Sequence, residues 1–181
     1  MTAPDPRPGN GPPAKERRPA TEAEAKALAS VIRLRILRLC LDRPMTNKEI
    51  AQRLEANPAT VLHHVRTLVD TGFLAAQPVR RGVRGSREVP YLATRKSWRL
   101  DLSGKTDGSA MVGAFLDEIR HIDLGQSRLS RLGLRLAPDE FDELNARLFA
   151  ILSEYEARPA TPDGRAYSLF VALHEDVTRE H

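Results

Sequence analysis

From residue 29 to residue 94 the apolar positions fall first at helical spacing and then at strand spacing. A short helix over 21–28 is expected to lead into a second one that starts after Ser30, a good N-cap. In that second helix Ile32, Ile36, Leu37, Leu39 and Leu41 form an apolar face, while Arg33, Arg35 and Arg38 form a basic one. Asp42-Arg43-Pro44 stops it, because proline cannot continue a helix and constrains the residue before it. Thr46-Asn47-Lys48-Glu49 has the spacing of a capping box, with Ile50, Ala51 and Leu54 as the buried side of the helix it opens. Glu55-Ala56 is the turn. Asn57 then caps a helix whose first position is Pro58, where the missing N–H costs nothing. Val61, Leu62, Val65, Leu68 and Val69 form its buried stripe, and Gly72 ends it. Two short helices joined by a tight turn, the second polar on its outer face, are a helix-turn-helix pattern. After Gly72 the period changes to two. Residues 73–80 and 88–95 read as strands, joined by Arg81-Gly82-Val83-Arg84-Gly85-Ser86, a hairpin loop that makes a wing.

Beyond a Ser-Gly-Lys-Thr-Asp-Gly-Ser linker at 103–109, Met111, Val112, Phe115, Leu116, Ile119 and Ile122 predict a helix with one apolar stripe. Leu132, Leu134 and Leu136 alternate as in a strand. Pro138-Asp139-Glu140 opens another helix, whose stripe is Phe141, Leu144, Leu148, Ile151, Leu152 and Tyr155. Residues 157–165 form a loop, and 167–174, apolar on both faces, read as a buried strand. The expected fold class is therefore α+β, mainly α. A winged helix-turn-helix domain over 21–100 would be followed by a small α-β-α-β domain over 108–181, a candidate for dimerisation and for effector binding. Residues 1–20 make a disordered tail, since 2–19 hold six prolines and two glycines. Its Lys15, Arg17 and Arg18 are read as solubilising charge rather than as a DNA-contacting arm.

Charge sharpens this division. Residues 58–99 carry 8 basic and 2 acidic groups, whereas 100–181 carry 9 and 15. The middle of the chain is thus suited to a polyanion and the C-terminal part is not. No apolar run approaches the roughly 18 residues that span a bilayer, and the N-terminus lacks the apolar core of a secretory signal. The expectation is a cytoplasmic protein with no membrane association. A single cysteine, Cys40, allows neither an internal disulfide nor a cysteine-rich zinc site, and it reads as core packing.

Four stretches, in order, resemble the ArsR family of winged helix-turn-helix regulators. They are Leu28-Ala29-Ser30-Val31-Ile32-Arg33-Leu34-Arg35-Ile36-Leu37, Thr46-Asn47-Lys48-Glu49-Ile50-Ala51, Thr60-Val61-Leu62-His63-His64-Val65 and Leu68-Val69-Asp70-Thr71-Gly72-Phe73-Leu74. The resemblance implies a homodimeric repressor that places the second helix of each motif in a major groove and releases DNA on binding an effector, here of unknown identity. Metal-sensing members of the family carry paired cysteines in the helix that here starts at Thr46. This chain has none there, so thiolate sensing at that position is not expected.

On the helix expected over 58–71, Pro58, Ala59, Thr60, His63, Arg66 and Thr67 face outward. Thr60 can bond a base or a phosphate and offer its methyl group to thymine. Arg66 suits a guanine or a phosphate equally, and Asn57 at the helix start suits a phosphate. His63 is a base or phosphate contact, and His64 packs at the helix edge. With Thr46 and the wing residues Arg80, Arg81, Arg84 and Arg87, these make the DNA-binding set: Thr46, Asn57, Ala59, Thr60, His63, His64, Arg66, Thr67, Arg80, Arg81, Arg84 and Arg87. Adjacent histidines do not suit a helical metal chelate, which prefers spacings of three or four. His121, Asp123 and His174 read as surface groups. No enzyme motif, metal site or cofactor is expected. The reading is a sequence-specific, double-stranded-DNA-binding regulator, expected to be a dimeric repressor; its rival is a winged-helix protein-interaction module acting on RNA polymerase or another regulator.

Overall fold

A computed structural model describes residues 17–82 and 85–179, which fall into two units, 17–126 and 127–179. In chain order the first unit runs β1 (Arg18–Pro19), α1 (Glu22–Leu28), α2 (Val31–Leu39), β2 (Met45–Thr46), α3 (Asn47–Leu54), α4 (Pro58–Asp70), β3 (Leu74–Ala76), β4 (Arg80–Arg81), β5 (Arg87–Glu88), β6 (Pro90–Ala93), β7 (Leu100–Asp101) and α5 (Ser109–Ile119). The second unit contains one α-helix, α6 (Pro138–Ala157). No described helix is long and apolar enough to cross a membrane.

The helix boundaries follow from local chemistry. At α3 the Thr46 hydroxyl accepts the N–H of Glu49, while the Glu49 carboxylate accepts the Thr46 N–H at 2.7 Å. Glu55 closes the helix in the left-handed region, φ 52°. Asn57 Oδ1 accepts the Ala59 N–H at 2.8 Å to cap α4. At the far end Gly72, φ 73°, donates to the Val69 carbonyl, and Phe73 donates to that of Leu68. These are the paired bonds of a Schellman stop, which needs a residue without Cβ at the turn. Ser30 holds the N-cap position of α2 without a side-chain cap bond.

Ile36, Ile50, Val61, Val65, Leu68 and Phe73 are fully buried and form the centre of the first unit. Burying each side chain of this kind contributes about 1.5–3 kcal/mol. β6 is the middle strand of an antiparallel sheet ordered β2-β6-β3, and β4 pairs with β5 as the stem of the wing. The expected first strand, 73–80, is thus split in two on either side of Pro78, which cannot donate to a ladder.

Residues 17–20, which the composition assigns to the tail, are part of the fold. β1 pairs in parallel with β7, and the Arg17 guanidinium stacks 4.6 Å from the centre of the Trp98 ring. Residues 1–16, including Lys15, lie outside the described residues. Glu24, only 5% exposed, is the knot of this clamp. Its carboxylate accepts two bonds from Arg18, at 2.9 and 2.6 Å, one from Lys96 at 2.6 Å and one from the Thr21 N–H at 2.8 Å. Lys96 also donates to the Thr71 carbonyl at 2.6 Å, beside the end of α4.

Helix α5 was expected in the C-terminal domain, but it belongs with the winged helix because it packs on α2. Arg35 pairs with Asp117 and Arg38 with Glu118, so the basic face of α2 is met by acids on α5. Close approach is made by small residues. Ala114 is buried, and a Cβ added to Gly113 would lie 2.9 Å from Val31 Cγ2. The expected stripe instead leaves Met111, Val112 and Leu116 exposed. Gly113→Val is expected to lower stability by about 1–3 kcal/mol through overpacking. Thermal unfolding checks this, and an unchanged midpoint would contradict the packing described.

The two C-terminal strands are also corrected. Residues 132–136 and 167–174 belong to no strand, and Leu132 and Tyr167 are 77% and 87% exposed, so 167–174 is not buried. An extended segment becomes a strand only when another backbone answers its N–H and C=O groups. Among the described residues neither segment is paired in a sheet.

Candidate nucleic-acid interface

The buried stripe of α4 fixes what its other flank presents. With Val61, Val65 and Leu68 inward, Pro58, Ala59, Thr60, His63 and Arg66 are exposed. Thr67 is half-buried and returns its hydroxyl to the His63 carbonyl at 3.1 Å. His64 turns toward α2, where its Nδ1 lies 3.5 Å from an Arg33 guanidinium nitrogen. Burial, and then the positive charges of Arg33 and His63, hold His64 below its ordinary pKa. It is half-buried at the edge of α4, facing α2 rather than the open flank. Arg33 itself is anchored to the Ala27 and Lys26 carbonyls.

The first turns of α3 and α4 and the stem of the wing are tied together. Asn47 Nδ2 donates to the Pro58 carbonyl at 2.9 Å, tying the start of α3 to the start of α4. Arg80, on the wing stem, pairs with Glu49 of α3 at 2.7 Å and with Glu88 at 3.5 Å. Thr46, Asn47, Lys48, Arg87, Glu88, Val89 and Tyr91 line a cleft of about 270 Å³ between α3 and the wing. Asn47 Oδ1 is buried without a hydrogen-bond partner among the described residues.

The expected contact residues thus divide. Asn57, Ala59, Thr60, His63 and Arg66 are on the open flank of α4 or at its start, and Arg81 and Arg87 are exposed on the wing stem. Thr46 is 4% exposed, with its hydroxyl engaged in the α3 cap. Arg80 is engaged as a strut holding the wing to α3. Arg84 lies outside the described residues. Sequence reasoning missed Lys48 and the joining role of Asn47. Their position in the first turn of a capped helix was the available signal, because N–H groups and side chains there face outward.

Cys40 is fully buried, and burial with the nearby Glu49 charge pushes its thiol up to about 12. It is a packed, unreactive group. His121 Nδ1 lies 2.8 Å from the Asp117 carbonyl, and His174 Nδ1 lies 2.7 Å from that of Glu175. Among the described residues no three His, Cys, Asp or Glu side chains are grouped to hold a metal.

Three helices of which the last two form the motif, followed by a sheet and a hairpin, define the winged helix-turn-helix class. Residues 28–77 match the family model described as a helix-turn-helix domain, which spans the segment from the end of α1 through β3. Solved structures similar to the chain include reduced HlyU from Vibrio cholerae, at 20% identity over 55% of this chain and 87% of that one, with a TM-score of 0.33. Another is the homodimeric winged helix-turn-helix DNA-binding domain of Mb0332 from Mycobacterium bovis, described as a possible ArsR-family regulator. It is 20% identical over 61% of this chain and 85% of its own, with a TM-score of 0.33. ZitR from Lactococcus lactis is 19% identical over 72% and 86%, with a TM-score of 0.32. No curated protein matches the chain significantly.

Proposed function

We propose that the chain is a sequence-specific DNA-binding transcriptional regulator acting as a homodimer, a repressor of the ArsR type. In this reading α4 enters the major groove, and Thr60, His63 and Arg66 meet base edges or adjacent phosphates. Asn57, Lys48 and the N-terminal turns of α3 and α4 receive backbone phosphates. Arg81, Arg87 and Arg84 of the wing neutralise further phosphates or enter the minor groove. The observation that carries the reading is the open polar flank of α4 above a fully buried stripe, with the wing strapped to the adjoining helix by Arg80 and Glu49. Dimerisation is supported by the apolar side chains left exposed on α5 and throughout the second unit. The protein works by binding rather than catalysis, in the cytoplasm, and an effector would act through the regions outside the reading head.

The test is a mobility-shift assay on DNA from upstream of the chain's own operon. A retarded band that resists unrelated competitor DNA is the expected result. No band at any protein concentration, with an RNA polymerase subunit bound instead, would replace this reading with that of a protein-interaction module.

A further inference from the structure

A cleft of about 490 Å³ lies where the residues leading into β2, the outer face of α3 and the stem of the wing meet. Arg43, Glu49, Arg53 and Arg80 line it, together with Pro44 and Met45. It shares no lining residue with the 270 Å³ cleft beside Lys48. Arg53 lies about 120° round α3 from Asn47, which ties that helix to the start of α4, and about 140° from Lys48. The cleft is thus a place apart from the flank proposed to meet DNA.

The charges round it do not balance. Arg80 is shared by Glu49 at 2.7 Å and Glu88 at 3.5 Å. Asp42, next to Arg43 in the chain, is taken by Arg95 at 3.2 Å. Arg43 and Arg53 are exposed and form no ion pair among the described residues. Like charges gathered round a concavity focus a positive potential into it, because its walls have a low dielectric. Two unmet guanidinium groups beside a third that is already shared suit a ligand with two negative charges. A guanidinium fork matches the oxygens of phosphate or carboxylate in pairs. A phosphate monoester carries close to two charges and three acceptor oxygens on one group, so several forks can meet it at once. Pro44 and Met45 give the cleft an apolar wall for the organic part.

We infer that this cleft binds a small phosphate monoester, and that the bound ligand lowers affinity for DNA by drawing Arg80 away from Glu49. Glu49 cannot follow. Its other carboxylate oxygen accepts the Thr46 N–H at 2.7 Å and the Thr46 hydroxyl at 2.9 Å, so the cap of α3 holds it in place. An anion on Arg80 therefore competes with a fixed carboxylate for the same guanidinium and repels it. What yields is the strut that straps the wing to α3. By linkage, DNA that needs the strapped wing weakens the anion by the same factor. The output of this switch rests on the DNA-binding reading above, whereas the site itself does not. Such a ligand acts within the reading head and is additional to any effector held outside it.

Calorimetric titration of the full-length chain with phenyl phosphate, in the absence of DNA, tests the site. Saturable binding is expected, with benzoate, which has the same ring and a single charge, weaker by about tenfold or more. The variant Arg43→Ala/Arg53→Ala should bind phenyl phosphate about tenfold or more weakly as well. Its melting temperature and its affinity for DNA without the anion should match those of the native chain. In fluorescence anisotropy at constant ionic strength, saturating phenyl phosphate should lower the native chain's affinity for its upstream DNA by about fivefold or more, and the variant's far less. No saturable binding, or equal binding of benzoate or by the variant, would overturn the site. Unchanged DNA affinity with phenyl phosphate bound would overturn the switch. A variant that loses DNA affinity without any anion would overturn both, assigning the two arginines to the duplex. The two readings fail separately, because a chain that binds phenyl phosphate as expected but no DNA removes the regulator and leaves the site.

Discussion

Replacing Glu24 by alanine is expected to lower the stability of the first unit by about 2–3 kcal/mol. The melting midpoint should fall by about 10 °C. The carboxylate is nearly inaccessible and accepts four hydrogen bonds, two from Arg18 and one each from Lys96 and the Thr21 N–H. Its removal frees β1 from α1 and takes from Lys96 the charge that holds it at the end of α4. The cost falls short of that for a wholly buried pair because Arg18 and Lys96 retain access to solvent. The bonds from Arg18, then Lys96, then the Thr21 backbone hold the carboxyl far below its ordinary value of 4.5. A depressed carboxyl binds its proton more weakly when folded, so its stabilisation is fully present above pH 4.5 and is lost as the pH falls below it. The difference between wild type and Glu24→Ala should therefore be largest near neutrality and shrink toward pH 3. Urea unfolding across that range checks both statements, and equal stability at pH 7 would contradict them.

Arg66→Ala is expected to reduce affinity for the cognate DNA by about 10–100-fold, since a good base contact contributes about 1–3 kcal/mol. Arg66 is exposed on α4 and has no ion-pair partner among the described residues, so the fold should be unaffected. The pattern of loss identifies the contact. If Arg66 meets a guanine, cognate affinity falls far more than affinity for random DNA. If it meets a phosphate, both fall together and the log–log salt slope drops by about 0.9. Fluorescence anisotropy on both DNAs, with circular dichroism to confirm folding, reads the difference. Unchanged affinity for both would remove Arg66 from the interface.

What could be read from the sequence was what neighbouring residues decide. The Thr46–Glu49 box, the Asn57-Pro58 start and the Gly72 stop each complete their hydrogen bonds within a few residues, so α3 and α4 lie where local chemistry puts them. The stripe of Val61, Val65 and Leu68 then determines which flank of α4 is open. Glu24 was not legible, because one of its partners, Lys96, comes from the far side of the wing, and a glutamate in a short helix reads as surface. Arg80 looked like its wing neighbours for the same reason, since only the folded chain brings Glu49 within reach. On α5, Ala114 is buried and Gly113 lies close to Val31 of α2, whereas Met111, Val112 and Leu116 are exposed. The rule that large apolar residues face the core assumes that no closer helix approach is available. At 132–136 and 167–174 the alternation was plain, but alternation describes one strand and is silent about which backbone completes it.

Both the docking of α4 and the role of the wing come down to positive side chains displacing counterions from a duplex. The direct test is the affinity of the full-length chain for its upstream DNA between about 50 and 200 mM salt, compared with an Arg81→Ala/Arg87→Ala variant. A log–log decline for the native chain, made shallower by about 0.9 for each phosphate contact the variant loses, is the predicted result. An affinity indifferent to salt, or a slope the variant leaves untouched, would contradict the proposed mode of binding.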